Sequence, residues 1–345
     1  MTGVSSRELD CRLLAAIPQA RRVSDLARGT GASLAYILKR LAPLRERFSL
    51  IGVFDYRALG LEEHLLLLDY RQELWERSLP YVVGKAVLRS GKNPERLLLL
   101  VLAPTGRAGD VADILGVSAA PRKVKVFRHR PDASSLVACK DGRLIPLFRS
   151  FESVVWEGVA PDLRAQPLKR VDSIDLWIVA ELTRNPFAKL SRLGAARGLK
   201  QQVVSYHYLS HIQPLHLYNA VAPKLQATHV GRALEIKVEH GLEEPVAWAL
   251  AGFPFTRFSA AEPGEGLVLA LVYPGEWELP LLKALQACRG VLDFRVVGYV
   301  AEELREYTVP FGEVVARGSY SLEILYEALH TPRSAKAKWQ VYEID

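Results

Sequence analysis

The chain has 345 residues, of which 49% are apolar and 24% charged, and its formal net charge is +7. This composition is ordinary for a globular protein with room for two to four domains. No apolar run reaches the roughly 18–20 residues that span a bilayer, and the first ten residues lack a signal-peptide core. We therefore expect a cytoplasmic protein with no membrane partner. Cys11, Cys139 and Cys288 are expected to be reduced, and the abundance of Arg and Glu indicates a thermophile.

The same series of short signals occurs twice along the chain. Ala27-Arg28-Gly29 is matched by Ala196-Arg197-Gly198, and an apolar run that ends at Pro104 is matched by one that ends at Pro274. The two offsets are 196 − 27 = 169 and 274 − 104 = 170 residues. An internal repeat of this length predicts one structural unit that has been duplicated.

Each copy is predicted to begin with three short helices and a strand. In the first copy Pro18 ends helix one, the glycines near residue 30 break the chain, and Ser33 caps helix three. A short helix, a glycine turn and a further helix are typical of a helix-turn-helix, and the strand at 48–53 has the position of a wing. The residues expected to face inward on the two third helices are Leu34, Leu38 and Leu41 in the first copy and Val204, Tyr208 and Ile212 in the second.

A pattern of strand, helix, strand, strand, helix and strand follows each wing, at 64–128 and at 233–299. This order predicts a ferredoxin-like βαββαβ sheet with helices on one face. The predicted fold class is therefore α+β, with two winged helix-turn-helix domains alternating with two ferredoxin-like domains as an internal pseudo-dimer. The predicted boundaries are 1–57 and 169–224 for the winged helices, 58–130 and 225–303 for the α/β domains, 131–168 for added elements and a linker, and 304–345 for C-terminal elements and a basic tail.

Positive charge is concentrated at the start of each copy. Residues 1–57 contain ten Lys and Arg against five Asp and Glu, and residues 168–224 contain eight against three. Localised basic charge in two equivalent modules indicates a polyanion, and we expect double-stranded DNA. The candidate DNA contacts, all expected to be exposed at the third helices, are Ser33, Tyr36, Lys39, Arg40, Lys200, Gln201, Gln202, Ser205, Tyr206 and His207.

The module order resembles that of the Lrp/AsnC ("feast/famine") transcription regulators. The matching segments are Leu9 to Leu41 with Phe48-Ser49-Leu50-Ile51-Gly52, and Asp175 to Ile212 in the second copy. The resemblance implies a DNA-binding regulator that pairs through its α/β domains and holds a small effector, such as an amino acid, at that interface. This chain departs from the family by carrying two copies and by adding segments 130–168 and 300–345. It is thus expected to act as a monomeric pseudo-dimer or as a homodimer.

Catalytic, metal and cofactor sites are not predicted. His207 and His211 have a spacing that can hold zinc, with His216 nearby, but no Cys or carboxylate is close in sequence. The chain is therefore expected not to be an enzyme. Two alternatives remain open. Siroheme decarboxylases resemble the same architecture and use His and Arg to hold an acidic tetrapyrrole, and a protein-interaction scaffold would have helix-turn-helix surfaces that no longer bind DNA.

Overall fold

A computed structural model describes residues 6–91, 93–132, 135–158, 172–224, 230–300, 304–308, 311–316, 319–330 and 344. The protein is α+β, with antiparallel sheets and short helices, which confirms the predicted class at that level. The chain divides into two compact units, and each takes stretches from both halves of the sequence. The first unit consists of residues 1–51, 125–162 and 218–300, and the second of 52–124, 163–217 and 301–345.

The first unit begins with three helices and continues in a five-stranded sheet. Its helices are α1 Ser6–Ala16, α2 Val23–Thr30, α3 Leu34–Arg47, α6 Phe151–Glu157, α10 Glu243–Gly252 and α11 Glu278–Ala287. Its strands are β6 Lys125–Phe127, β7 Val137–Lys140, β8 Arg143–Pro146, β10 Gly231–Val238, β11 Thr256–Glu262, β12 Leu267–Val272 and β13 Val291–Val300. The sheet order is β13-β10-β12-β11-β6, and β7 and β8 form a separate hairpin.

The core of the first unit surrounds α10. This helix is apolar on all sides, so it is buried between the sheet and α6 rather than lying at the surface. Phe253 stacks on Phe255 and Phe151, and Trp248 meets the edge of Phe127. Aromatic packing of this kind makes a large contribution to the stability of the unit.

A disulfide joins Cys11 on α1 to Cys139 on β7. The expectation of three reduced cysteines is therefore wrong for this pair. The two cysteines are separated by 128 positions in the sequence, and no pattern indicates that they are close in space. The fold brings them together by placing the β7–β8 hairpin against α1. Cys288 is a buried free thiol, and burial raises its pKa to about 11, which makes it unreactive.

The second unit has a sheet of the same order. Its helices are α4 Gln72–Glu76, α5 Ala108–Ile114, α7 Ser173–Arg184, α8 Leu190–Ala196, α9 Gln201–His207, α12 Phe311–Val314 and α13 Glu323–His330. Its strands are β2 Leu61–Asp69, β3 Val82–Arg89, β4 Arg96–Pro104, β5 Arg122–Lys123, β14 Arg305–Glu306, β15 Val315–Ala316 and β16 Ser319–Tyr320. The sheet runs β5-β2-β4-β3, with β14 also paired to β3. Two further strands, β1 Phe48–Phe54 and β9 His216–Pro223, contribute residues to both units.

Two features of the second unit differ from a regular pattern. After α9 the chain continues in a π-helical turn, Tyr208–Ile212. In β1, Gly52 lies so close to α7 that an added Cβ would be 2.5 Å from the carbonyl oxygen of Leu182. Glycine is required here because any other side chain would overlap backbone.

The structure also corrects two details of the predicted elements. The last strand of the pattern predicted over 64–128 is divided at Val124, because β5 pairs with β2 while β6 pairs with β11. The first helix of that pattern, α4, is only five residues long and ends at Glu76, and β3 begins at Val82. Residues 159–171 and 331–343, on which the predicted linker and basic tail fall, lie outside the described residues.

Candidate functional site

The exposed face of α3 holds three of the predicted DNA contacts. Ser33 caps the helix, accepting a hydrogen bond from the backbone N–H of Tyr36 at 3.3 Å, and Tyr36 and Lys39 are exposed. The predicted inward face is shifted, because the buried residues are Ile37, Leu41 and Leu44, whereas Leu34 and Leu38 are about half exposed, at 49% and 52%. The buried residues Ile37, Leu41 and Leu44 are spaced by four and then three positions, as on one face of a helix. Leu34 and Leu38 lie at the edge of that face.

Arg40, the fourth candidate on this helix, is held by the protein itself. Its Nε and Nη2 donate to the two carboxylate oxygens of Asp10 on α1, at 3.0 and 2.5 Å. The hydrogen bond and charge of Asp10 raise the pKa of Arg40. This bidentate pair uses two of the five N–H donors of the guanidinium and balances its charge, which weakens its attraction for a base or a phosphate.

The start of α9 carries the most accessible of the predicted residues. Lys200 is the N-cap residue, and Lys200, Gln201 and Gln202 are exposed. Tyr206 is 61% exposed, while Ser205 is half-buried. Val204, Tyr208 and Ile212 are buried, which confirms the predicted inward face of this helix.

His207, the last predicted contact, belongs instead to a partly buried cluster with Asp175 and His211. Its Nδ1 lies 2.9 Å from Oδ1 of Asp175 on α7, and Nδ1 of His211 lies 2.9 Å from the same oxygen. The side chain of Asp175 is fully buried, while the two imidazoles are partly open to solvent. The potential ligand atoms of these three side chains all lie within 4.8 Å of one another.

A second histidine site lies on the sheet of the second unit. His64 on β2 is buried, and neither ring nitrogen has a hydrogen-bond partner among the residues that the structure describes. Its Nε2 is 3.7 Å from Oε2 of Glu62, and Oε1 of Glu62 accepts a hydrogen bond from Nζ of Lys123 at 2.5 Å. On β5, Lys123 lies opposite His64, whereas Arg122 lies opposite Leu65 and therefore on the other face of the sheet.

The electrostatics of this site keep His64 neutral and Glu62 charged. Burial lowers the pKa of His64, against the attraction of Glu62. For Glu62, burial alone would raise the pKa, but the hydrogen bonds from Lys123 and the backbone N–H of Gly106 outweigh it and lower the pKa. A neutral imidazole beside a carboxylate can accept a proton or coordinate the metal of a bound ligand.

The sequence identified the pair His207 and His211 by its spacing but could not supply its carboxylate, and it did not single out His64. Asp175 is 32 residues from His207, so spacing along the chain could not complete the cluster. His64 lies inside an apolar strand, where a lone histidine resembles a core residue. What distinguishes His64 is that its ring nitrogens have no hydrogen-bond partner among the described residues, and only the three-dimensional structure reveals this.

No family model matches this chain, and no curated protein matches it. Among solved structures, two of the siroheme decarboxylase NirDL are similar. The first has a TM-score of 0.46 and 13% identity, and covers 94% of this chain and 98% of the other. The second, in complex with an iron-uroporphyrin III analogue, has a TM-score of 0.45 and 14% identity, and covers 94% and 99%.

The described residues contain no helix that is both long and apolar enough to cross a membrane.

The expectation that the chain is not an enzyme is corrected by the structural comparison, because both of the similar structures are those of a decarboxylase. The roles of individual residues in this chain rest on their own contacts.

Proposed function

We propose that this chain is an enzyme of the siroheme decarboxylase type that binds an acidic tetrapyrrole substrate at the sheet containing His64. The observation that carries the proposal is the buried imidazole of His64, whose two ring nitrogens lack hydrogen-bond partners among the described residues. An unsatisfied buried polar group costs free energy. A bound substrate would offset this cost by pairing with the ring.

The groups around His64 suit such a substrate. A proton on Nε2 would face the carboxylate of Glu62 at 3.7 Å, which leaves the lone pair of Nδ1 for a ligand. Lys123 lies directly opposite His64 on the neighbouring strand, so the two side chains share one face of the sheet. Its positive charge attracts carboxylates. The resemblance in architecture to siroheme decarboxylases implies that His and Arg hold the substrate; in this chain His64 would supply the imidazole and Lys123 the cation.

The proposal includes a finer description of the fold. In it, α1–α3 with β1 and α7–α9 with β9 form two winged helix-turn-helix domains, and the two sheets form two ferredoxin-like domains of one pseudo-dimer. The sheet orders β5-β2-β4-β3 and β13-β10-β12-β11 support this reading, since both have the order fourth, first, third, second strand.

Titration with siroheme and with iron-uroporphyrin III under anaerobic conditions tests the proposal. We expect a shifted visible absorption band with the wild-type protein and release of carbon dioxide from siroheme. The variant His64→Gln should bind at least about tenfold more weakly, as expected when a side chain that orients or ligates a metal-centred group is removed.

The variant His240→Gln is the matched control, because His240 is a highly exposed imidazole and its loss should leave the titration unchanged. Far-UV circular dichroism would establish that both variants are folded. Identical titrations for wild type and His64→Gln, or no band shift with the wild-type protein, would contradict the proposal.

DNA binding is a second candidate function, favoured by the exposure of Lys200, Gln201 and Gln202 at the start of α9. Gln can pair with adenine edges and Lys with phosphates. Arg40 and His207 give DNA binding less support, because the side chain of Arg40 is bound to Asp10 and that of His207 to Asp175. Roughly six to ten neutralised phosphates would make log affinity fall with log salt at about −0.9 per phosphate.

A gel shift with random duplex DNA at low and at physiological salt tests this candidate. Binding should weaken steeply as salt rises. Gln201→Ala with Gln202→Ala should relax base choice by about 1–3 kcal/mol for each bidentate pairing with a base that the change removes, whereas Lys200→Gln should reduce affinity for all sequences. Absence of a shift at low salt would eliminate the DNA-binding function.

A further inference from the structure

We propose that Asp175, His207 and His211 form a binding site for a divalent first-row transition metal of the zinc type. The site lies in the segment from α7 to the π-helical turn and does not depend on the proposed tetrapyrrole function. Its donor set is two imidazole nitrogens and one carboxylate, a combination that suits zinc, iron, nickel and copper rather than calcium or magnesium.

The distances are close to those of a metal site. The Nδ1 atoms of both histidines lie 2.9 Å from Oδ1 of Asp175, and that of His211 is also 3.1 Å from Oδ2. Zinc binds nitrogen and oxygen at about 2.0–2.2 Å in tetrahedral geometry, so neighbouring ligand atoms are separated by roughly 3.3–3.6 Å. Outward movements of a few tenths of an ångström would admit the ion.

The local backbone brings the two imidazoles together. His207 is the last residue of α9 and His211 lies one turn later, in the π-helical turn. Residues four apart lie on the same side of a helix, and the rings are perpendicular with centroids 5.4 Å apart. The π-helix is a rare turn that occurs frequently at functional sites.

The carboxylate is fixed before any ion binds. Asp175 is the third residue of α7, where Oδ2 also faces the backbone N–H of Asp172 at 3.4 Å in a capping box. Its side chain is fully buried, and its charge is directed at the two histidines. An immobile carboxylate loses little conformational freedom when it binds a metal, which favours affinity.

One side of the cluster is open. His207 and His211 are partly exposed, and the edge of the Tyr206 ring packs against both imidazoles. Three protein ligands with solvent access leave a fourth position for water, as in catalytic rather than closed structural zinc sites. Metal binding would also join α7 to α9, so it should stabilise the fold increasingly as the free metal concentration rises.

Metal binding by the full-length chain, freed of affinity tag and of metal, tests the site. We expect one Zn²⁺ per chain by equilibrium dialysis with elemental analysis, and Co²⁺ should give the visible absorption of a tetrahedral site. His207→Gln and His211→Gln should each weaken Zn²⁺ binding at least about tenfold, with a larger loss in the double variant. His240→Gln, which removes a highly exposed histidine elsewhere, should bind like the wild type.

A second measurement uses only the wild-type protein, so its result does not depend on whether the variants fold. In wild-type protein, Zn²⁺ should shift the imidazole NMR signals of His207 and His211 while leaving that of the fully buried His129 in place. The proposal is overturned if the wild type binds no Zn²⁺, if folded His207→Gln and His211→Gln bind it as tightly as wild type, or if the two imidazole signals do not respond.

Discussion

The guanidinium of Arg40 is bound in bidentate fashion by the carboxylate of Asp10. The pair joins α3 to α1, and the carboxylate is almost fully buried. Arg40 belongs to the helix predicted to contact DNA, yet its donors face the protein. A basic residue on such a helix can therefore have a structural role, because a buried carboxylate requires a partner.

We predict that Arg40→Gln lowers the free energy of unfolding by about 1–3 kcal/mol, since it leaves the Asp10 carboxylate without its charged partner. Urea denaturation measures the change. Adding Asp10→Asn to Arg40→Gln should cost less than the sum of the two single changes, because the residues form one pair. Lys39→Gln is the matched control on the exposed face, and an equal loss there would show that the pair is not responsible.

Gly52→Ala should destabilise the protein by about 1–3 kcal/mol, the usual cost of forcing an extra group into a packed site. The added Cβ would lie 2.5 Å from the carbonyl oxygen of Leu182, and backbone cannot move aside as a side chain can. Gly109→Ala is the control, because its Cβ would meet nothing within 4 Å and it lies in α5. The control should be neutral or stabilising by up to about 1 kcal/mol. Equal thermal stability of both variants would contradict the prediction.

Stability should decrease as the pH falls from about 6.5 to about 4. Burial lowers the pKa of His129 from 6.5 to about 4, so between these values the unfolded chain binds a proton that the folded chain does not. Lowering the pH therefore favours unfolding, by at most about 1.4 kcal/mol per pH unit for one proton. The variant His129→Gln should show a flatter dependence in denaturation experiments across this range. If the slope of unfolding free energy against pH is the same in the variant, groups other than His129 determine the pH dependence.

Removing the disulfide should also destabilise the first unit. We expect Cys11→Ser with Cys139→Ser to lose about 2–5 kcal/mol, because the bond closes a long loop and restricts the unfolded chain. Dithiothreitol should produce a similar loss in the wild type and no further loss in the double variant. Detection of three free thiols by mass spectrometry of non-reduced protein would refute the prediction.

The regular elements were largely predictable from sequence, because apolar periodicity identifies strands and helices directly. The helix carrying Val204, Tyr208 and Ile212 buries those residues as expected. On α3 the same reasoning selected Leu34 and Leu38 in place of Ile37 and Leu44. Both sets are consistent with helical spacing, and packing against neighbouring helices decides between them.

The histidine sites and the disulfide could not be predicted from the sequence, because they depend on contacts between residues that are far apart along the chain. His207 and His211 form a visible pair, but Asp175 reaches them only after α7 packs beside α9. Cys11 and Cys139 meet only when the hairpin folds onto α1. The DNA-contact residues and the domain boundaries remain predictions.

The interleaved composition of the two units has a consequence for dissecting the protein genetically. Since each unit draws on stretches from both halves of the chain, cutting the gene between codons 168 and 169 would leave neither fragment with a whole unit. We expect each fragment to be unfolded or aggregated when expressed alone, and the two to complement each other into a cooperative, soluble heterodimer when co-expressed. Half-length truncations would then be unsuitable for assigning activities to one half or the other.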